Sequence, residues 1–322
     1  MRSRLLSLSF IAAAVLVPQG AALAAWPEKP IRLIVPSAPG GAPDVLMRAM
    51  STQLSQQLGV PIVIDNKPGG SYVIGTMDLV RSPADGYTLA YGNVVSLATN
   101  RTLLPNVPYD VDKDLTLISN AVRVVNMLAV NNNVPVKTVP ELIAYAKKNP
   151  GKLAFGSDGN GTTAHLGMEL FKSMTGTSML HVPYKAATGA VTDLISGGVQ
   201  VMIANTPVLG PHAQQGRIRA LGLSSLERST TYPDVPPIAE AVPGFEVIAW
   251  GGVVGPANLP ADIVARLNAE IRTALNTPAV QARFKALGAE TSPSTPQEFR
   301  ELSRRETEKW AKVIKSSGAK VD

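Results

Sequence analysis

Residues 31–59 read IRLIVPSAPGGAPDVLMRAMSTQLSQQLG, and the division of this stretch decides the fold. The apolar run Ile31–Val35, closed by Pro36, has the length and bounds of a buried strand. From about Pro43 to Leu58 apolar residues recur at helical spacing. Between them lies SAPGGAPD, Ser37 to Asp44, a loop broken by proline and a glycine pair. A strand, a glycine loop and a helix start together present backbone N–H groups with no internal acceptor. They do so at the positive end of a helix dipole, so the unit favours a bound anion. Asp44 falls in the first helical turn, where a carboxylate offsets the dipole by itself.

Outward from this unit the alternation repeats. PIVI, a helix after GGSYVIG and the strand YTLAYG complete one stretch. In the next, TVPELIAYAKKNPG carries Thr138 and Glu141 at capping-box spacing, LAFGS is a strand, and TTAHLGMELFKSMTG is a helix stopped at Gly176. The strand SMLHVPY, the helix GAVTDLISGG and the strands VQVMIAN and IRALGLSS follow. Strands alternating with helices predict parallel α/β units. In the last third, LPADIVARLNAEIRTALNT puts Ile263, Leu267, Ile271 and Leu275 on one stripe. TPQEFRELSRRETEKWAKVIKSSG opens with Thr295, Pro296 and Glu298 in capping-box order. Two long β-type runs, AVRVVNMLAVNNN and GFEVIAWGGVVGP, read as crossings from one sheet to another. The expected organisation is two Rossmann-like lobes: residues 25–127 and 250–322 form the first, 128–249 are inserted as the second, and a cleft lies between them.

Composition narrows the function. Arg2 and Arg4 precede LLSLSFIAAAVLV, and Ala22–Ala24 supply a small-x-small cleavage pattern, so residues 1–24 read as a secretory leader. The apolar stretch is shorter than the roughly 20 residues of a spanning helix. The chain has no cysteine, which excludes a disulfide scaffold, a thiol nucleophile and a thiolate metal site. Of 322 residues 45% are apolar, enough for two cores. Lys and Arg number 30 against 24 acids, or 28 against 24 without the leader. They cluster only near Ser303–Arg305, which gives nucleic-acid binding no support and suits a small acidic ligand.

A second strand, glycine loop and helix start lies in LAFGSDGNGTTAHL, with Gly159, Asn160 and Gly161 in the loop and Thr162 or Thr163 as N-cap. Two such starts facing one cleft would hold a carboxylate between them. GNGTTA also fits the dinucleotide pattern G-x-G-x-x-G/A through Gly159, Gly161 and Ala164, but no acid follows about 20 residues later. His165, His181 and His212 lack metal-ligand spacing, and no G-x-S-x-G elbow exists. His165 reads as a holder of its loop and His181 as a core residue. Asn93, Asn205 and Thr206 end strands, where ligands of open α/β sheets bind and where Asx turns are equally at home. Tyr72 and Tyr184 either wall a pocket or pack.

The segments WPEKPIRLIVPSAPGGAPD, VIDNKPGGSYVIG, SPADGYTL, PYDVDKDLTLIS, ELIAYAKKNPGKLAFGSDGNGTTAHLGMELF, HVPYK, DLISGGVQVM and RSTTYPDVPPIAEAVPGFEVIAWGGVVGPANLP together resemble the Bug family of extracytoplasmic solute receptors of tripartite tricarboxylate transporters. The resemblance runs from Trp26 almost to the C-terminus. It implies a type II periplasmic binding fold that closes on a small organic acid and hands it to membrane permease subunits. It also implies a monomeric, non-enzymatic, periplasmic protein without cofactor or metal. In that family the APGG loop and the S-x-G-x-G loop supply backbone and hydroxyl contacts to a ligand carboxylate. Carried over, these are Ala38, Pro39, Gly40 and Gly41, with Ser157 through Thr163 opposite; Ser37 beside the first loop and Ser157, Asn160, Gly161, Thr162 and Thr163 of the second are the candidate contacts. Tyr72, Asn93, Asn205 and Thr206 complete the candidate site. Three segments depart from the family pattern: Ser37 replaces an aromatic residue, YKAATGA at Tyr184–Ala190 replaces Y-K-G-x-x-P-A, and Ser71 and Tyr72 replace small residues. The alternatives are a secreted nucleotide-dependent enzyme using GNGTTA and a ligand sensor for a signalling kinase.

Overall fold

The computed structural model describes residues 26–319; the leader read at 1–24 lies outside them. The elements in chain order are β1 (Ile31–Val35), α1 (Ala42–Leu58), β2 (Ile62–Asn66), α2 (Val73–Val80), β3 (Thr88–Asn93), α3 (Asn100–Leu103), α4 (Val111–Asp114) and β4 (Leu115–Val130). Next come α5 (Val139–Lys148), β5 (Ala154–Ser157), α6 (Thr163–Thr175), β6 (Leu180–Pro183), α7 (Ala187–Ser196), β7 (Val201–Asn205), α8 (Thr206–Gln214) and β8 (Arg219–Leu223). The chain ends with β9 (Ile248–Pro256), α9 (Ala261–Leu275), α10 (Pro278–Ala286), β10 (Glu290–Thr291) and α11 (Pro296–Ser317).

Strand β4 organises the molecule. Its first part, Leu115–Val125, pairs with β9, which in turn carries β3, β1 and β2. Its last part, Asn126–Val130, pairs with β7 and β8, and β7 leads on to β5 and β6. The two lobes are therefore two α/β sheets sharing one 16-residue strand. Crossing strands of this kind are expected from AVRVVNMLAVNNN and GFEVIAWGGVVGP, although regular pairing reaches back to Leu115 and begins again only at Ile248.

The registers locate the space between the lobes. Asn93, the last residue of β3, is level with Gly251 of β9, which is level with Val122 of β4. Asn205, the last residue of β7, is level with Asn126. Four residues of strand separate these levels, about 13 Å at the rise of an extended chain. The carboxyl ends of both sets of strands thus point at each other across a short ribbon made of residues 123–125 and 248–250. In open α/β sheets ligands bind beyond those ends.

Local sequence explains most of the helices. Thr295 and Glu298 form a complete capping box at α11. At α5, Thr138 caps the Glu141 amide, but Glu141 accepts from the Lys137 N–H rather than from Thr138, so only half of the expected box forms. Ile263, Leu267, Ile271 and Leu275 are all buried, as their stripe requires. Gly176 ends α6 with φ +63°. Helices α8 and α10 were not legible. Pro207, Gly210 and Pro211 make α8 read as a turn between two strands, and α10 follows only two residues after α9. Helix α11 packs against α6 as well as residues 95–99, so it spans both lobes, with the Ser303 hydroxyl donating to the Leu97 carbonyl at 2.8 Å.

Candidate functional site

The first-lobe loop bends at Gly40, where φ is +77°, and Gly41 then caps α1 in an extended conformation. Neither glycine offers a free amide. The Gly40 N–H donates to Asp44 Oδ2 at 2.9 Å and the Gly41 N–H to the Ala38 carbonyl at 3.1 Å. Asp44 is buried and also accepts from Arg48 and from the Asn66 side chain. Burial alone pushes its carboxyl up, but Arg48, the Gly40 amide and Asn66 outweigh that and leave it below the usual carboxylate range. Ala38 and Pro39 are exposed. The Ser37 carbonyl accepts from Asn66, while its hydroxyl is buried without a partner.

The second lobe repeats the device. Gly161, with φ +79°, donates its N–H to His165 Nδ1 at 3.1 Å, and Thr162 caps α6 by accepting from the His165 N–H. In both loops a left-handed glycine precedes the N-cap and the third helical residue reaches back to take its amide. Expected donors at Gly40 and Gly161 are thereby corrected. A left-handed turn folds the chain back so that the side chain four residues on sits beside the glycine N–H. The first-turn amides that keep no acceptor among the described residues are Ala42 and Asp44 on α1, and Thr163 and Ala164 on α6.

Beneath the second loop lies an aromatic stack. The rings of His165 and His181 are 3.9 Å apart and nearly parallel, and Phe155 stacks on His181 at 4.8 Å. His181 Nε2 sits 2.6 Å from the Ser157 hydroxyl, which is wholly buried and also bonded to Gly159. Burial lowers His165 to about 3, helped by His181 and Lys172, and lowers His181 to about 4, helped by Lys172. Both rings are neutral struts at neutral pH. Ser157 is therefore a support of the loop and offers no free hydroxyl. Asn160 and Thr163 are half-buried on the same loop.

Opposite that loop stands Tyr72. Ser71 and Tyr72 both adopt positive φ, +49° and +71°, which is unusual for two successive non-glycine residues. Asn100 holds this turn by donating to the Ser71 carbonyl at 2.8 Å. Burial raises the Tyr72 hydroxyl, the neighbouring Asn93 side chain opposes the rise, and the charge of Asp158 adds to it. Asn93 is buried, and its Oδ1 accepts from Val95 and Ser96, the Asx turn that the sequence left open. Leu103 lies directly against Gly161, where a Cβ would stand well inside van der Waals contact. Tyr184 packs against Gly156 and Gly189, with its hydroxyl 2.5 Å from Asp193, so it serves packing.

The structure thus brings Tyr72 and Asn93 of the first lobe toward the Ser157–Thr163 loop of the second. Thr206 departs from this group. It is buried at the start of α8 and lines a groove of about 660 Å³ with Arg123, Tyr232, Lys285 and Thr291. Asn205 keeps a buried Oδ1 without a partner. The sequence did not point to Leu103 or Asn100, which lie in no motif, whereas Asp158 falls inside the expected Ser157–Thr163 stretch. No group of three His, Asp or Glu residues among the described residues is placed to hold a metal. No helix among them is long and apolar enough to cross a membrane. The GNGTTA loop lacks the acid that the dinucleotide pattern needs about 20 residues on, so it gives no support to nucleotide binding.

This fold and paired-loop geometry define a two-lobed periplasmic-binding architecture. The model of the tripartite tricarboxylate transporter family receptor matches residues 46–319, and the chain belongs to that family of Bug-type solute receptors. Its relative BugT of Bordetella pertussis (strain Tohama I) is 38% identical, over 92% of this chain and 91% of that protein. A solved R. palustris protein with adipate is 36% identical with a TM-score of 0.82, covering 92% of this chain and all of that one. MatC from Rhodopseudomonas palustris with bound malate is 28% identical with a TM-score of 0.78, covering 90% of this chain and 100% of that one.

Proposed function

We propose that this receptor captures a small organic carboxylic acid between its lobes, without transforming it, and presents it to the permease of a tripartite tricarboxylate-type transporter. The observation that carries this reading is the pair of matching helix starts, one on each lobe, whose first-turn amides at Ala42, Asp44, Thr163 and Ala164 keep no acceptor among the described residues. Adipate in the R. palustris protein and malate in MatC support the ligand class. Ser37 to Gly41, Tyr72 and Asn93 would form one wall; Asn160, Gly161, Thr162 and Thr163, supported from behind by the buried Ser157, would form the other, and Asn205 would lie at the edge. The amides would hold the anion because the helix starts fix them in place before it binds.

The lobes on this reading are 25–127 with 250–322, and the insertion 128–249. Support comes from the change of strand partners between Val125 and Asn126, which suggests moving the first boundary by two residues. Closure is a hinge motion about β4 and β9. Export rests on the leader at 1–24, cleaved near Ala24, and places a monomeric receptor in the periplasm. The test is thermal unfolding and calorimetry of the mature protein with adipate, malate and aromatic monoacids. A saturable rise in Tm, with the acid recovered unchanged, is expected by mass action. A Tm that responds to NAD(P) and to none of the acids would refute the reading.

A further inference from the structure

The groove at the start of α8 lies apart from the paired loops. It encloses about 660 Å³, and its lining includes no residue of Ser37–Gly41 or Ser157–Thr163 and neither Tyr72 nor Asn93. Both lobes build it. Arg123, Gln281 and Lys285 come from the first and Thr206 and Tyr232 from the second, while Val125 of the shared ribbon completes the lining. Close contacts hold its shape. Gly210 stands inside α8, where an added Cβ would overlap the Tyr232 hydroxyl, so the glycine lets that ring lie against the helix. Across the lobes Gly288 meets Pro207 with no room for a Cβ between them. The chemistry of the groove favours an oxyanion. Thr206 is only 6% exposed, yet its hydroxyl makes no hydrogen bond to any described residue, which leaves a buried donor open toward the groove. Thr206 is also the first residue of α8, a nine-residue helix whose N-cap, Asn205, gives no side-chain cap. The positive end of the helix dipole therefore meets the same space. Of the three charged residues in the lining, Arg123 and Glu290 pair at 3.4 Å. Lys285 has no ion pair among the described residues and leaves the groove with a positive charge in excess.

We propose that this groove is a second binding site, separate from the carboxylate cleft, for a small molecule bearing a carboxylate, phosphate or sulfate group. The oxyanion accepts from the Thr206 hydroxyl at the start of α8 and is balanced by the unpaired Lys285 of the other lobe. Its occupant thus bridges the two lobes beside the ribbon they share. Organic polyacids and inorganic phosphate offer the same chemistry to these groups, and the probes below tell them apart.

The test is calorimetry on the mature protein with phosphate, sulfate and tricarballylate, at an ionic strength held constant with chloride. Wild type should bind at least one of these probes saturably, with a Kd on the order of 1 mM. Thr206→Val keeps the shape of the side chain and removes its hydroxyl. It should weaken that binding about tenfold, the worth of one hydrogen bond to a charged group. Lys285→Glu reverses the unpaired charge and should weaken it about fivefold, whereas Lys285→Arg should hold it near wild type. Adipate affinity should stay within about twofold of wild type in all three variants, because the groove lies outside the carboxylate cleft. Tighter binding of tricarballylate marks an organic polyacid as the occupant and tighter binding of phosphate an inorganic one; either order supports the site. No saturable heat with any probe, or probe affinity unchanged in Thr206→Val and Lys285→Glu, would overturn the proposal. If Thr206→Val loses its near-ultraviolet dichroism, the exposed Lys285 decides alone, and unchanged probe affinity in Lys285→Glu overturns the proposal.

Discussion

Replacing Gly161 with alanine puts a methyl group into two conflicts at once. The first is local. With φ at +79°, a non-glycine residue costs about 1–2 kcal/mol. The second reaches across the molecule, because the new Cβ would overlap the Leu103 side chain, and Leu103 is 5% exposed with little room to retreat. Forcing a methyl into a packed site costs about 1–3 kcal/mol. Gly161→Ala should therefore lose about 2–5 kcal/mol, read as a lower urea midpoint with an unchanged slope. Gly40→Ala is the control. Its φ of +77° carries the same local strain, but nothing lies within 4 Å of the added Cβ, so only about 1–2 kcal/mol is expected. Leu103→Ala alone should cost about 2–5 kcal/mol as a cavity. Combined with Gly161→Ala it should cost less than the sum by about 1–3 kcal/mol, because the trimmed side chain relieves the overlap. Since the two residues sit on different lobes, Gly161→Ala should also weaken ligand binding more than Gly40→Ala, by resisting closure. Additivity within about 0.5 kcal/mol in the double variant would refute the claimed contact.

Two further outcomes follow from the supports of the loops. His165 and His181 are held neutral in the fold, at about 3 and about 4, below the ordinary histidine value of 6.5. Groups depressed in this way contribute stability fully above pH 6.5, and it is lost as pH falls from there toward 4; for His165 the loss by pH 5 is about 2 kcal/mol. Urea titrations between pH 7.5 and 5 should show this slope, and His165→Ala should flatten it; equal midpoints in wild type across that range would contradict the neutral stack. Asp44→Ala strips the acceptor from the Gly40 amide, Arg48 and Asn66, and should cost about 1.5–3 kcal/mol, the worth of hydrogen bonds to a charged group. Asp44→Asn, which keeps an oxygen for Gly40, should lose less; equal losses in both would mean that the glycine amide is not held in this way.

Much of the fold is local chemistry and was legible in the chain. The strand, glycine loop and helix start at Ile31–Leu58, its counterpart at Ala154–Thr175, the Thr295 capping box and the Ile263–Leu275 stripe each depend on neighbours within a few residues, and each stands where its pattern places it. The existence of two anion-friendly helix starts was legible for the same reason. Their exact donors were not. Whether the Gly40 or Gly161 amide is free depends on where Asp44 and His165 point, and in both loops the left-handed turn brings that side chain back onto it. The burial of Ser157 under His181, the approach of Leu103 to Gly161 and the hold of Asn100 on the Ser71 turn join residues more than 20 positions apart. Such contacts are set by how two sheets share β4 and twist toward each other, and no periodicity or motif along the chain encodes that distance.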